Sequence, residues 1–366
     1  MTTARTATPN GSHSHTRVSA WHTPGTGPSQ YDFRSDVMTT PTLSMLEAIQ
    51  QTSLLDDVML EDPETNSLEA HVAALAGKEA ALLVMSGTMG NQVSLRTHLT
   101  APPHSIVCDW RSHVIKYEVG GASLLSGAMT LPIRPSNKHH VTLADIEANA
   151  IVSSDVHACP TRVIWLENTL NGTILPQSEV EAIAAFARAN DIALHLDGAR
   201  IWEVAVATKT PVSTLLAPFD SASLCFSKGL GAPIGSIITF GLDAAGQTGK
   251  LGASHAQARA VAEMWQRKGG KLSYPVETNM VWLDHESLGV REQDFVEVAV
   301  KHGIKVFGSR LVVHYQISAD GVARLGKAMD EVLALAKQGS RQKQHGSGAA
   351  GGAQEDIYGS KTVAQG

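Results

Sequence analysis

The sequence predicts an α/β fold, with a large domain on a mostly parallel sheet and a small C-terminal α/β domain behind it. Two observations lead there. Short apolar runs alternate with amphipathic helical stretches along the chain, the pattern of helices laid over a parallel sheet. The chemically versatile residues also fall where those runs end, and open parallel sheets hold their ligands beyond the carboxyl ends of their strands. At 366 residues the chain is long enough for both domains.

In chain order, residues 1–30 are rich in Thr, Ser, Pro and Gly, with Arg5 and Arg17 and no acid, and are expected to be a disordered leader. The large domain is expected over 31–252. Within it, 79–85 (EAALLVM) reads as a short buried strand, followed by SGTMGN and a helix carrying Val93, Leu95 and Leu99. Segments 105–110, 162–167, 192–197 and 224–229 read as further strands, and 235–241 as an antiparallel one after a turn containing Gly and Pro. Between them, 178–189 sets Val180, Ile183, Ala184 and Ala187 on one helical face, with Ser178 and Glu181 spaced as a capping box. The small domain is expected over 253–338, with helices near 254–268, 292–302 and 321–337 and strands at 281–284 and 310–317. The Gly-, Ala-, Gln- and Ser-rich end, 339–366, reads as a disordered tail.

Composition narrows the function. Hydrophobic residues are 43% and charged residues 17%, ordinary for a globular protein. A net charge of −6 without a basic run argues against a nucleic-acid partner. No apolar run approaches the ~20 residues of a membrane span. Cys108, Cys159 and Cys225 form no CxxC or metal-type spacing, which suits a reducing, cytoplasmic setting. No metal ligand set is expected.

The candidate chemistry sits at strand ends. Asp197 ends one strand, and Lys228 ends another 31 positions later (228 − 197), room for one crossover connection. Gly87-Thr88 opens a helix after a strand, a place where backbone N–H groups cradle phosphate, although Ser86 or Thr88 would equally serve as a plain helix cap. His113 follows strand 105–110, where a lone histidine is more often a surface or core residue. Asp197 could merely cap the next helix. One cofactor, pyridoxal phosphate (PLP), would employ all of them. It needs an amine for its aldehyde, a carboxylate for its pyridine nitrogen, an N–H cradle for its phosphate and a ring to stack on it. An arginine fork would hold a substrate carboxylate.

Several strings in order, from FRSDVMTTPTLSMLEAI (33–49) through SGTMGNQ, RSHVIKYEVGGAS, WLENTLNGTILP, LHLDGAR and SKGLGAPIGS to TNMVWLD and RLVVHYQIS (310–318), resemble the threonine aldolase family. That family belongs to the β-eliminating-lyase branch of fold-type I PLP enzymes, and the resemblance runs from about Tyr31 to Lys337. It implies an aspartate-aminotransferase-like large domain and cleavage of L-threonine or L-allo-threonine to glycine and acetaldehyde. By the same resemblance, Lys228 carries PLP as a Schiff base. Asp197 pairs with the pyridine nitrogen, His113 stacks on the ring, and Gly87 and Thr88 take the phosphate. Arg200 belongs to the cofactor-binding set and, with Ser35 and Arg310, holds the substrate carboxylate. His157 stands near the substrate hydroxyl, so that His113 or His157 is the base, with Glu118 in support. A homodimer or homotetramer with interfacial active sites is also implied. The sequence departs from the family after Phe240, where a basic segment ending in a GGGMRQ-like motif is missing and Lys250 is the nearest basic residue. Two other readings stay open: another PLP reaction such as β-elimination, racemisation or transamination, and a truncated, catalytically impaired paralogue.

Overall fold

The computed structural model describes residues 27–236 and 250–343. Most of the expected leader, the end of the expected tail and the stretch 237–249 lie outside the described residues. The final helix, Ala319–Lys343, runs on into the segment expected to be a tail.

Five parallel strands form the main sheet: β1 (Ser105–Asp109), β2 (Met129–Ile133), β3 (Thr161–Glu167), β4 (Ala193–Gly198) and β5 (Ser221–Leu224), in the order β2-β1-β3-β4-β5. β1 is buried along its whole length, and β3 and β4 nearly so, because helices cover both faces; hence the near-continuous Val, Ile and Leu runs. One core packs Ile164, Leu166, Leu194 and Leu196 against Val180, Ile183 and Ala184 of helix Gln177–Ala189. The opposite face packs Leu95, Ile106, Val163 and Trp165.

A second core, around Trp265, Phe295, Leu311 and Leu325, belongs to the C-terminal part, whose antiparallel pair is β6 (Met280–Trp282) and β7 (Arg310–Val312). Phe33 is fully buried in it. The Phe33 amide donates to the Lys305 carbonyl at 3.0 Å, and its carbonyl accepts from Val312 N at 2.9 Å. The N-terminal segment thus packs with the C-terminal part, and the expected boundary at 252/253 falls within helix Lys250–Arg267.

Two local expectations fail for physical reasons. Segment 79–85 is not a buried strand. It makes one antiparallel bridge, Val84 to Ser236, and without a ladder on either side Leu82 and Met85 remain 64% and 67% exposed. Helix Gln177–Ala189 starts on Pro176, with no side-chain cap, so Ser178 lies inside the first turn rather than at its head. Among the described residues no helix is long and apolar enough to cross a membrane.

Candidate active site

The sheet order reverses between β1 and β3, and the crevice outside the carboxyl ends at such a reversal is where doubly wound sheets bind ligands. The chain brings its reactive groups to that edge. Glu167 and Asp197 end β3 and β4 as register partners. His113 follows β1, at the start of a short helix. β5 ends at Leu224, earlier than the sequence implied, so Lys228 stands on a turn beyond it. There its carbonyl accepts from Gly231 N and from Thr39 Oγ1, both at 2.9 Å.

Helix Gly87–His98 organises the floor. Asn91 Nδ2 donates to Asp197 Oδ2 at 2.9 Å and to Glu118 Oε1 at 2.6 Å. Gln92 Nε2 donates to Glu118 Oε2 at 2.6 Å. Glu118 Oε1 also meets His113 Nδ1 at 2.8 Å, and the His113 backbone N–H donates to Glu167 Oε2 at 2.9 Å. His113 is thereby fixed at ring and backbone, which leaves Nε2 for a ligand. The ligand atoms of His113, Glu118 and Asp197 lie within 4.8 Å of one another, a spacing a metal ion could use. However, the Asn91 amide already stands between the two carboxylates, so the trio reads as a hydrogen-bonded network.

At the head of the same helix, Met89 N–H is taken by Ser86 Oγ and Gly90 N–H by the Ser86 carbonyl. Among the described residues the amides of Gly87 and Thr88 have no acceptor and could serve an anion, so Ser86 caps the helix without closing the cradle. Gly87 is needed for packing: a Cβ there would come within 2.8 Å of Cys225 Sγ, next to the Lys228 turn.

Charge is unevenly shared. Burial pushes the Glu167 carboxyl well above its usual value and the neighbouring Asp197 adds to this, against the His113 N–H and Lys228. Burial also pushes Asp36 upward, but there Arg200, with Lys228 and His314, prevails and holds the carboxyl far below the usual range.

The residues expected to grip a substrate carboxylate gather around one segment. Ser35 caps a turn of 3₁₀ helix, Asp36–Met38, and Arg310 Nη2 donates to the Arg34 carbonyl at 3.2 Å. Arg200, expected to hold a substrate carboxylate, is engaged with a carboxylate of the chain itself. Its Nε and Nη2 are already bonded to Asp36, at 2.9 and 2.7 Å, because a guanidinium this enclosed needs a counter-charge. His157 is not brought to the cluster. It lies before β3, on the side of the sheet away from the carboxyl ends, with its side chain 91% exposed and bonded to Asp155. The sequence reading missed Asp36, Asn91, Gln92 and Glu167. Glu167 was accessible by the strand-end rule that picked Asp197.

The arrangement fits PLP. It provides a lysine, a buried carboxylate at the floor, a fixed imidazole, a helix-head anion cradle and, nearby, the unbonded buried atoms Asn91 Oδ1, Gln92 Oε1 and Ser112 Oγ. A cleft of about 700 Å³ opens at the amino edge among His98, His104, Arg162 and Asp220, away from these groups.

Comparison with known proteins gives a consistent picture. The model of the beta-eliminating lyase family matches residues 32–355. Aldolase vrtJ of Penicillium aethiopicum is 45% identical over 86% of this chain and 89% of its own length. Alanine racemase TOXG of Cochliobolus carbonum is 36% identical over 86% and 90%. The low-specificity L-threonine aldolase of Eremothecium gossypii is 39% identical over 84% and 88%. Among solved structures, Leishmania major threonine aldolase aligns with a TM-score of 0.63 at 15% identity, covering 84% of this chain and 99% of that one. It shares the fold expected for a fold-type I PLP enzyme.

Proposed function

Since the chain belongs to the beta-eliminating lyase family, and is a lyase of that PLP-dependent group, we propose that it cleaves L-threonine or L-allo-threonine to glycine and acetaldehyde. The observation that carries this reading is the convergence of Lys228, Asp197 and the Glu118-held His113 on one crevice, beside an anion cradle at Gly87 and Thr88.

PLP would supply a sink for the electron pair left at Cα when the Cα–Cβ bond breaks. Each residue then has a task of its own. Lys228 would hold the cofactor through its aldehyde. Asp197, kept in place by Asn91 and by the Ala199 N–H at 3.1 Å, would hold a proton on the cofactor's ring nitrogen. The Gly87 and Thr88 amides would hold its phosphate. Ser35 and Arg310 orient the substrate carboxylate, and Arg200 adds positive charge while braced on Asp36. With its Nδ1 on Glu118, His113 presents Nε2 to take the proton of the substrate β-hydroxyl as the aldehyde carbonyl forms. His113 is therefore preferred over the distant His157.

A homodimer or homotetramer is supported by apolar side chains at the surface, among them Leu54 (86% exposed), Val58 (85%), Met59 (73%) and Leu60 (70%), a pattern that marks contact surfaces. A cytoplasmic setting is supported by three free cysteines, two of them buried.

The test is glycine and acetaldehyde formation from threonine and allo-threonine by the PLP-loaded wild type and Lys228→Ala. Equal rates in the two would refute the proposal. The likeness to a protein named alanine racemase favours a second reading, proton exchange at Cα. Racemisation of L-alanine without acetaldehyde from threonine would select it.

A further inference from the structure

Beneath the Lys228 turn lies a buried carboxylate that the proposed reaction does not use. Glu203, in helix Ile201–Thr208, is 2% exposed, and its Oε2 stands 2.6 Å from Nε2 of His255, itself 3% exposed, in helix Lys250–Arg267. Its other oxygen faces the lysine turn. A Cβ placed on Gly229 would sit 2.5 Å from Glu203 Oε1 and 2.9 Å from Leu251 Cδ2. The residue next to Lys228 thus lies directly on the carboxylate, and only glycine allows it so close. Arg200, the residue just before the helix that carries Glu203, is within electrostatic reach of it.

Two helices can pack on apolar contacts alone, and burying a carboxylate with an imidazole is costly unless something else is gained. Burial pushes the Glu203 carboxyl up, and the His255 hydrogen bond opposes this. What the arrangement provides is a rigid polar surface under one particular turn.

We propose that Glu203 and His255 are a positioning pair for Lys228: Glu203 Oε1 seats the Ser227–Gly229 turn, and His255 fixes the orientation of that carboxylate from the neighbouring helix. This rests on the reading of Lys228 as the cofactor lysine. The pair touches neither substrate nor cofactor and acts through where the amine stands. A shift of about 1 Å in a reacting group can cost on the order of a hundredfold in rate.

The experiment follows covalent capture of PLP by the full-length apoprotein. Borohydride reduction at timed intervals and peptide mass locate and count the modified lysine. In wild type the label is expected on Lys228. Glu203→Ala and His255→Ala should slow its appearance at least about tenfold. They should lower kcat with KM for threonine within about twofold. Glu203→Gln, which keeps the shape and a hydrogen-bonding group toward His255, should recover most of the rate. Gly229→Ala, which removes no buried polar group but presses on Glu203, should also slow capture, so the inference can be judged even if an alanine variant fails to fold. Labelling of Lys228 at the wild-type rate in the folded variants overturns the positioning role alone. Labelling of a different lysine in wild type overturns the reading of Lys228, and this inference with it.

Discussion

Replacing Asp36 by asparagine should destabilise the cofactor-free protein by about 3 kcal/mol at neutral pH. The Asp36 side chain is fully enclosed, that of Arg200 is 13% exposed, and they share two charge-assisted bonds of 2.7 and 2.9 Å. Such bonds contribute about 1.5–3 kcal/mol each. Asparagine keeps one acceptor oxygen but removes the carboxylate hydrogen-bonded to the guanidinium, so the expected loss is about half to two-thirds of the total of the two bonds. The pH dependence follows from the depressed carboxyl. A group whose folded value lies below its unfolded one stabilises fully above the unfolded value, about 3.9, and loses that contribution as pH falls toward the folded value. The gap between wild type and Asp36→Asn should therefore be full at pH 7 and about 1 kcal/mol smaller at pH 3. Urea unfolding of apoprotein at both pH values measures it. Adding Arg200→Met should recover much of the loss, because the stranded charge goes with it. A gap under about 0.5 kcal/mol at pH 7, or one that does not shrink at pH 3, would show that the pair is not held as described.

Three further outcomes follow from the geometry. Gly87→Ala should weaken PLP binding by about tenfold or more, read by titration, since the new Cβ meets Cys225 Sγ 2.8 Å away at the head of the anion cradle. Glu167→Gln should raise the melting temperature of the apoprotein at pH 8 and leave it unchanged at pH 4. A carboxyl whose folded value is raised costs stability only as pH climbs past its unfolded value, and glutamine keeps an acceptor for the His113 N–H. His157→Ala should leave kcat for threonine within about twofold. A large loss would return that residue to the catalytic set despite its 91% exposed side chain.

The sequence was legible where local pattern and environment agree. β1, β3 and β4 are covered on both faces, so each is a nearly continuous apolar run, and an acid at the end of such a run, as at Asp197, stands out as a candidate, although Asp109 at the end of β1 pairs with Arg111 instead. The same rule misled at 79–85, which has the composition of a strand but only the Val84–Ser236 bridge to bury it. Partners distant in sequence were illegible. Nothing near Arg200 announces that its fork closes on Asp36, 164 positions away, and the spacing of Asn91 does not show that it will bridge Asp197 and Glu118. The identity of a site residue can be read from its own surroundings, but its charge and freedom depend on partners that only the fold supplies.

That distinction bears on the cofactor. Glu118, Glu167 and Asp197 meet at one crevice, while Arg200 is paired with Asp36, and among the described residues Lys228 and the half-exposed His113 are the nearby cation and potential cation. Asn91 and Gln92 moderate the crowding with dipoles, but burial and Asp197 still push the Glu167 carboxyl well above its usual value. A floor built this way is poorly matched to an anionic ring and well matched to a flat group carrying a proton on nitrogen, with its negative charge at the far end toward the Gly87–Thr88 amides. The polarity runs from acids at β3 and β4 to a helix head beside β5, with the lysine turn between. A ligand that is cationic at one side, anionic at the other and reactive toward an amine in the middle would satisfy both ends, and pyridoxal phosphate has that chemical outline.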